Sequence, residues 1–141
     1  MATLLVTGGA GFIGSCYVLA RCGAGDTVIN LDKLTYSGNP ENFASLSDNP
    51  RHIFVHGDIG NAELVEHLLK TYQPDAVVNF AAESHVDRSI ENPQLFLITN
   101  ILGTQNLLDC ARRAWVMGKD EQGYPTWRKG VRYHQVSTDE V

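Results

Sequence analysis

The chain has no apolar run near the roughly 20 residues that a membrane-spanning helix needs. It has no internal repeat and no low-complexity tract, so a solenoid or a disordered linker is excluded. Cysteine is scarce: Cys16, Cys22 and Cys110 form no Cys-x-x-Cys pair, and their number is odd. Cys16 and Cys110 fall within apolar helical patterns, which reads as buried thiols in a reducing compartment. Basic residues are outnumbered, 11 Lys and Arg against 16 Asp and Glu, for a formal net charge of −5. That balance argues against a general grip on nucleic acid or on an anionic membrane surface. No basic leader precedes the segment MATLLVTGGAGFIG, so the expectation is a cytoplasmic protein without an export signal. What is present, 43% hydrophobic and 19% charged over 141 residues, fits one globular domain with a sizeable core.

Strand and helix patterns alternate along the whole chain. Leu4-Leu5-Val6 is a short continuous apolar run, the signature of a strand buried on both faces. A helix follows from about Phe12, with Gly23 placed to close it at C′. Thr27 to Leu31 is a second strand, ending at Asp32. Lys33 to Arg51 is rich in Asn, Ser, Gly and Pro and reads as a long connection with one short helix. Ile53-Phe54-Val55 is a third strand, stopped by Gly57 and Asp58. Asn61 caps a helix whose apolar residues Leu64, Val65, Leu68, Leu69 and Tyr72 share one face. After Pro74, Ala76 to Phe80 is a fourth strand. Asn92 and Pro93 open the longest helix, 93–115. It is apolar on two sides, Leu95, Ile98 and Leu102 on one, Ile101, Leu108 and Trp115 on the other, so its second face is expected to meet a partner. Gly118 to Gly130 reads as a packed surface loop, and Val131 to Val136 as a fifth strand. The expected fold is α/β, a Rossmann-like doubly wound parallel sheet of order 3-2-1-4-5. The chain stops just after strand five, so residues 1–141 read as the N-terminal part of a longer unit.

Thr7-Gly8-Gly9-Ala10-Gly11-Phe12-Ile13-Gly14 fits G-x-G-x-x-G from Gly9 and G-x-x-G-x-x-G from Gly8. Between a buried strand and a helix, glycines at these positions allow a sharp turn, close approach of backbone to a diphosphate, and tight packing of helix on strand. The unpaired amides at the helix start then hold the anion. Asp32 lies eighteen positions beyond Gly14, near the ~20 expected of a carboxylate that bonds a ribose 2′-hydroxyl. It would repel a 2′-phosphate, which favours NAD over NADP, although Lys33 softens the repulsion. Asp32 is equally placed to cap the turn after its strand, and the two roles are compatible. Asp58 after Gly57 reads as a turn residue or as a binding residue, and spacing does not choose.

The segments VTGGAGFIG, LDKLTYSGNPEN, HGDI, NFAAESHVDRSI, TNILGT and VSTDEV occur in this order over the whole chain. Together they resemble the extended short-chain dehydrogenase/reductase family, and within it the dehydratase branch that acts on dTDP-glucose. The resemblance implies NAD as cofactor, with Gly8, Gly11, Phe12, Ile13 and Gly14 at the diphosphate. It puts Asp32, Lys33, Leu34 and Thr35 at the adenosine ribose, and Asp58 and Ile59 at the adenine. Phe80, Ala81, Ala82, Glu83, Ser84 and Thr99 fall on the nicotinamide side, with Ser84 and Thr138 also touching the nucleotide sugar. Thr138, Asp139 and Glu140 are the implied catalytic residues. The implied reaction oxidises the sugar at C4, eliminates water across C5 and C6, and returns the hydride to C6. In it Glu140 takes the C5 proton, Asp139 protonates the leaving hydroxyl, and Thr138 bonds the C4 oxygen. A homodimer through helix 93–115 is implied as well.

One departure stands out. None of Tyr17, Tyr36, Tyr72, Tyr124 and Tyr133 has a lysine four residues on, so the family's Tyr-x-x-x-Lys pair is absent and the expectation is dinucleotide binding without turnover. From spacing alone, Ser137-x-x-Glu140 also spells a capping box. His52 and His56 share a strand at ~13 Å, too far apart for one metal, and His85-Val86-Asp87 has no clustered partner, so no metal site is expected. Arg88, Arg112 and Arg113 are too scattered for a nucleic-acid footprint. The alternatives are an epimerase or dehydratase acting on a UDP or GDP sugar, and a non-catalytic dinucleotide-binding module. The Asp139-Glu140 pair favours dehydration over epimerisation.

Overall fold

The computed structural model describes residues 1–34, 38–82 and 86–137, and for 86–88 the backbone alone. In chain order the elements are β1 (Thr3–Thr7), α1 (Phe12–Gly23), β2 (Thr27–Asp32), a 3₁₀ helix (Pro40–Leu46), β3 (His52–His56), α2 (Ala62–Tyr72), β4 (Ala76–Asn79), α3 (Val86–Glu91) and α4 (Pro93–Phe96). A π-helical segment (Leu97–Gly103), α5 (Thr104–Trp115), β5 (Val116–Lys119), β6 (Pro125–Trp127) and β7 (Arg132–Gln135) complete it. The main sheet is parallel in the order β3-β2-β1-β4-β7, as the alternating pattern predicts, with β7 as its fifth strand.

The period of two sends successive strand residues to opposite faces, and both faces are covered. Leu5, Ile29, Leu31 and Val77 bury against Val65, Leu68 and Leu69 of α2 and Leu107, Cys110 and Ala111 of α5. Leu4, Val6, Val28 and Val78 bury against Val18 and Cys22 of α1 and Phe43 and Leu46 of the 3₁₀ helix. In register, Leu5 sits between Ile29 and Val77. The caps fall where the sequence places them. Asn61 Oδ1 accepts from the Leu64 amide and Asn92 Oδ1 from the Leu95 amide.

Four expectations change. Gly23 is the last residue of α1, and the left-handed position that ends the turn is Gly25, φ 92°. Cys16 is exposed rather than buried, while Cys22 and Cys110 are buried; α1 turns Gly14, Ser15, Val18 and Cys22 to the core, and Cys16 falls on its other side. The expected loop 118–130 holds instead the antiparallel hairpin β5–β6. Its turn is built on Asp120, whose Oδ1 accepts the Gln122 and Tyr124 amides, and on Gly123 at φ 86°. The hairpin is tied to the far edge of the sheet by Arg128, which donates to Pro74 O at 2.8 Å and pairs with Asp75. Finally, helix 93–115 is interrupted by the π-helical segment, and Trp115 lies in the core, 7% exposed, apart from Ile101 and Leu108.

Candidate functional site

All five parallel strands point their carboxyl ends at one edge, and a crevice opens there between β1 and β4, whose onward connections run to opposite sides, to β2 and to β7. The glycine turn forms its floor. Gly8, φ 71°, adopts a backbone closed to most L-residues, and a Cβ on it would stand 2.6 Å from the Ala81 amide nitrogen. A Cβ on Gly14 would overlap the Gly8 carbonyl. Gly11 differs: its nearest neighbour for a Cβ is Gly8 O at 3.4 Å, an unstrained distance, and its own φ/ψ of −74°/174° suits any residue. Gly8 and Gly14 are therefore required by the protein itself, and Gly11 is not. Gly11 is the N-cap of α1 and offers no capping side chain, so the first-turn amides remain free to bond an anion. Phe12 and Ile13 stand at that end, 82% and 67% exposed.

Asp32 closes the turn from the β2 side. It is 8% exposed; its Oδ2 accepts the Ala10 amide at 2.8 Å and its Oδ1 the Leu34 amide at 2.7 Å. It caps its own turn, as one reading of the sequence has it, and it also braces the glycine loop. Each oxygen keeps a lone pair for a further donor. Leu34 takes a left-handed conformation, φ 57°, a strained position of the kind found at ligand sites. The Ala10 carbonyl accepts from the Asn39 amide and from Asn42 Nδ2, both at 2.9 Å.

On the β3 side, Asp58 Oδ1 accepts the Gly60 amide at 2.8 Å while its Oδ2 lies 3.3 Å from Lys33 Nζ. Lys33 thus answers Asp58 across the mouth. Ile59 is buried behind it. On the β4 side, Phe80, Ala81 and Ala82 line the opposite wall, and Thr99 of the π-helical segment meets them there. Of the residues expected at a cofactor, Gly8, Gly11, Asp32, Lys33, Asp58, Ile59, Phe80, Ala81, Ala82 and Thr99 share this single cleft. Phe12, Ile13, Gly14 and Leu34 do not line it: the first three open α1 next to Gly11, and Leu34 follows Asp32 and Lys33. Thr35, Glu83, Ser84, Thr138, Asp139 and Glu140 lie outside the described residues.

The sequence pattern missed Asn79. Fully buried at the end of β4, its Oδ1 accepts from Thr7 Oγ1 and from the Ala81 amide, and its Nδ2 donates to Gln135 Oε1 at 2.9 Å. One amide thus ties the ends of β1, β4 and β7. A polar residue closing an otherwise apolar strand is the signal that could have found it. His52, beside Asn30 and packed against Phe43 with ring centroids 4.9 Å apart and the planes tilted by 55°, is pushed below its ordinary pKa by burial. Among the described residues no group of His, Cys, Asp and Glu is arranged to hold a metal.

The family model described as GDP-mannose 4,6 dehydratase matches residues 5–141. The chain belongs to that family. Among its curated relatives, a dTDP-glucose 4,6-dehydratase of Xanthomonas campestris pv. campestris is 56% identical over the full chain and over 39% of its own length. The dTDP-glucose 4,6-dehydratase of Streptomyces venezuelae, solved with NAD bound, is 53% identical, with a TM-score of 0.73 over 79% of this chain and 36% of that one. The Bacillus anthracis dTDP-glucose 4,6-dehydratase, also solved in complex with NAD, superposes with a TM-score of 0.79 at 38% identity, over all of this chain and 39% of that one. The chain therefore spans about two fifths of the length of the family members it matches.

Proposed function

We propose that the chain is the NAD-binding part of a dTDP-glucose 4,6-dehydratase. The observation that carries this is the Asp32–Ala10 bond next to the uncapped start of α1. It sets the uncapped first-turn amides of α1 and a ribose-binding carboxylate side by side in one cleft, the donors and the acceptor an adenosine diphosphate needs. Gly11 leaves open the space through which the diphosphate approaches. The fit covers the adenosine half of the molecule. Asp58 and Ile59 then flank the adenine, and Phe80 to Ala82 with Thr99 face the nicotinamide. Asp32 excludes a 2′-phosphate by charge, and Lys33, held toward Asp58, does not cancel it.

Held by the glycine turn and Asp32, NAD would supply the hydride acceptor for C4 of the sugar and the hydride donor for C6 in the whole enzyme. The C4 ketone acidifies the C5–H. Glu140 takes that proton, Asp139 delivers one to the departing C6 hydroxyl, and Thr138 holds the C4 oxygen, with Ser84 beside the sugar. In the chain Thr138, Asp139 and Glu140 follow β7, whose end Asn79 ties to Thr7 at the start of the glycine turn, and Ser84 follows β4. The chain has no Tyr-x-x-x-Lys pair, so it binds the dinucleotide without turning over dTDP-glucose. Leu97, Ile98, Ile101, Leu102 and Leu108, 45–58% exposed along the π-helical segment and α5, form the surface through which two copies associate. Among the described residues no helix is long and apolar enough to cross a membrane, and the reading places the protein in the cytoplasm.

The test is calorimetry of the folded chain with NAD and NADP, paired with sedimentation. NAD binding, weaker NADP binding and a dimer are expected. Absence of heat with either dinucleotide overturns the reading, and detection of a 4-keto-6-deoxy product from this chain overturns its inactivity.

A further inference from the structure

The β3 wall of the cleft is the short loop after His56, and its position is set from behind by the long helix. Ile59 is 5% exposed, lines the cleft, and belongs to the same buried cluster as Val65, Leu107 and Cys110. Its carbonyl accepts from Asn106 Nδ2 at 2.6 Å. Gly103, at the join of the π-helical segment and α5, faces its side chain. A Cβ there would stand 2.7 Å from both Ile59 Cδ1 and Cγ1. The Gly103 backbone is ordinary right-handed helix, φ −63° and ψ −43°, so no turn requires glycine at this point. Glycine inside a helix is a liability relative to alanine. What it does here is let Ile59 sit back against the helix. Thr99, four residues earlier, lines the same cleft.

We propose that Gly103 and Asn106 are positioning residues for the adenosine end of the cleft: together they set the depth of Ile59 and so the width of the slot it shares with Asp58. This rests on the dinucleotide reading above. Ile59 has close-packed core on its inner side, so a methyl group added at 103 moves it toward the one open direction, which is the cleft. Loss of the Asn106 donor frees the carbonyl of the same residue and loosens the wall without narrowing it.

The test uses the chain and its Gly103→Ala and Asn106→Ala variants, with NAD, ADP-ribose and nicotinamide mononucleotide as separate probes, and NMR of the Ile59 δ1 methyl in the ligand-free state. Gly103→Ala is expected to shift that methyl and to weaken NAD and ADP-ribose alike, roughly tenfold, leaving the mononucleotide unaffected. Asn106→Ala follows the same pattern with a smaller loss. An unmoved Ile59 methyl, unchanged ADP-ribose affinity, or an equal loss for the mononucleotide overturns the proposal, the last because it marks general weakening of the fold. A wild-type chain that binds neither NAD nor ADP-ribose overturns the dinucleotide reading itself, and the adenosine role with it. That failure is told apart from the others because it is seen before any substitution is made.

Discussion

Three of the four glycines in one turn, Gly8, Gly11 and Gly14, make different demands, and substitution with alanine should separate them. At Gly11 the added methyl meets only Gly8 O, at 3.4 Å, and the backbone is in an extended region open to alanine. The cost to the fold is that of a poorer N-cap, about 0.5–1 kcal/mol, or a Tm lower by roughly 2–4 °C for a domain of this size. At Gly14 the methyl overlaps the Gly8 carbonyl and lies 3.0 and 3.1 Å from Gly8 C and Gly9 Cα. These are backbone atoms that cannot rotate away. Such overpacking costs about 1–3 kcal/mol, offset in part by the helix preference of alanine. Gly8→Ala adds a left-handed backbone, about 1–2 kcal/mol, to a contact of 2.6 Å with the Ala81 nitrogen. It should be the most destabilising of the three. Binding should rank differently. The Gly11 methyl occupies the approach of the diphosphate, and loss of one charge-assisted amide bond, about 1.5–3 kcal/mol, weakens NAD by roughly 10- to 100-fold. Thermal unfolding and calorimetry on the three variants decide it. A Gly11→Ala chain that binds NAD as the parent does, or that melts as low as Gly8→Ala, would refute the assignment of Gly11 to the ligand.

Asp32→Ala strands the Ala10 and Leu34 amides, so it should destabilise the chain by about 2–4 kcal/mol in urea unfolding and abolish the preference for NAD over NADP. Burial lowers the His52 pKa in the folded chain, so the unfolded state takes up the proton first. Stability from this group is complete above the unfolded value near 6.5 and falls as the pH drops through the folded value. His52→Phe should flatten that slope in unfolding curves measured from pH 7 to pH 5, and an unchanged slope would assign it elsewhere. Cys16 should react with a thiol reagent in the native chain while Cys22 and Cys110, both raised in pKa by burial, react only on unfolding. Fast release of more than one thiol would contradict the burial pattern.

What the sequence disclosed was governed by local physics. The glycine turn, the strand before it and Asp32 at the end of β2 are legible because the spacing of one βαβ unit is short and stereochemically tight. The Asn61 and Asn92 caps are legible for the same reason. The β5–β6 hairpin is not, since its strands are of three and four residues, largely exposed, and show no alternation; only Asp120 and Gly123 hint at its turn. Cys16 lies among apolar neighbours in sequence, yet the face that α1 buries is set by Gly14, Ser15, Val18 and Cys22, two of them small residues that an apolar pattern passes over. The π-helical segment leaves no pattern that a period of 3.6 can expose. Asn79 and Asn106 are polar residues whose partners lie up to 72 positions away in the chain, and nothing near them in sequence names those partners.

The hydrogen bonds on Ala10 bear on how the molecule comes into being. Its amide is held by a residue 22 positions downstream and its carbonyl by a side chain 32 positions downstream. A nascent chain that has emerged only as far as α1 therefore carries the recognition signature without its shape. The cradle is completed only when the second strand and the 3₁₀ helix dock, so competence to hold a ligand should arise late, after long-range pairing rather than with the first turn of helix.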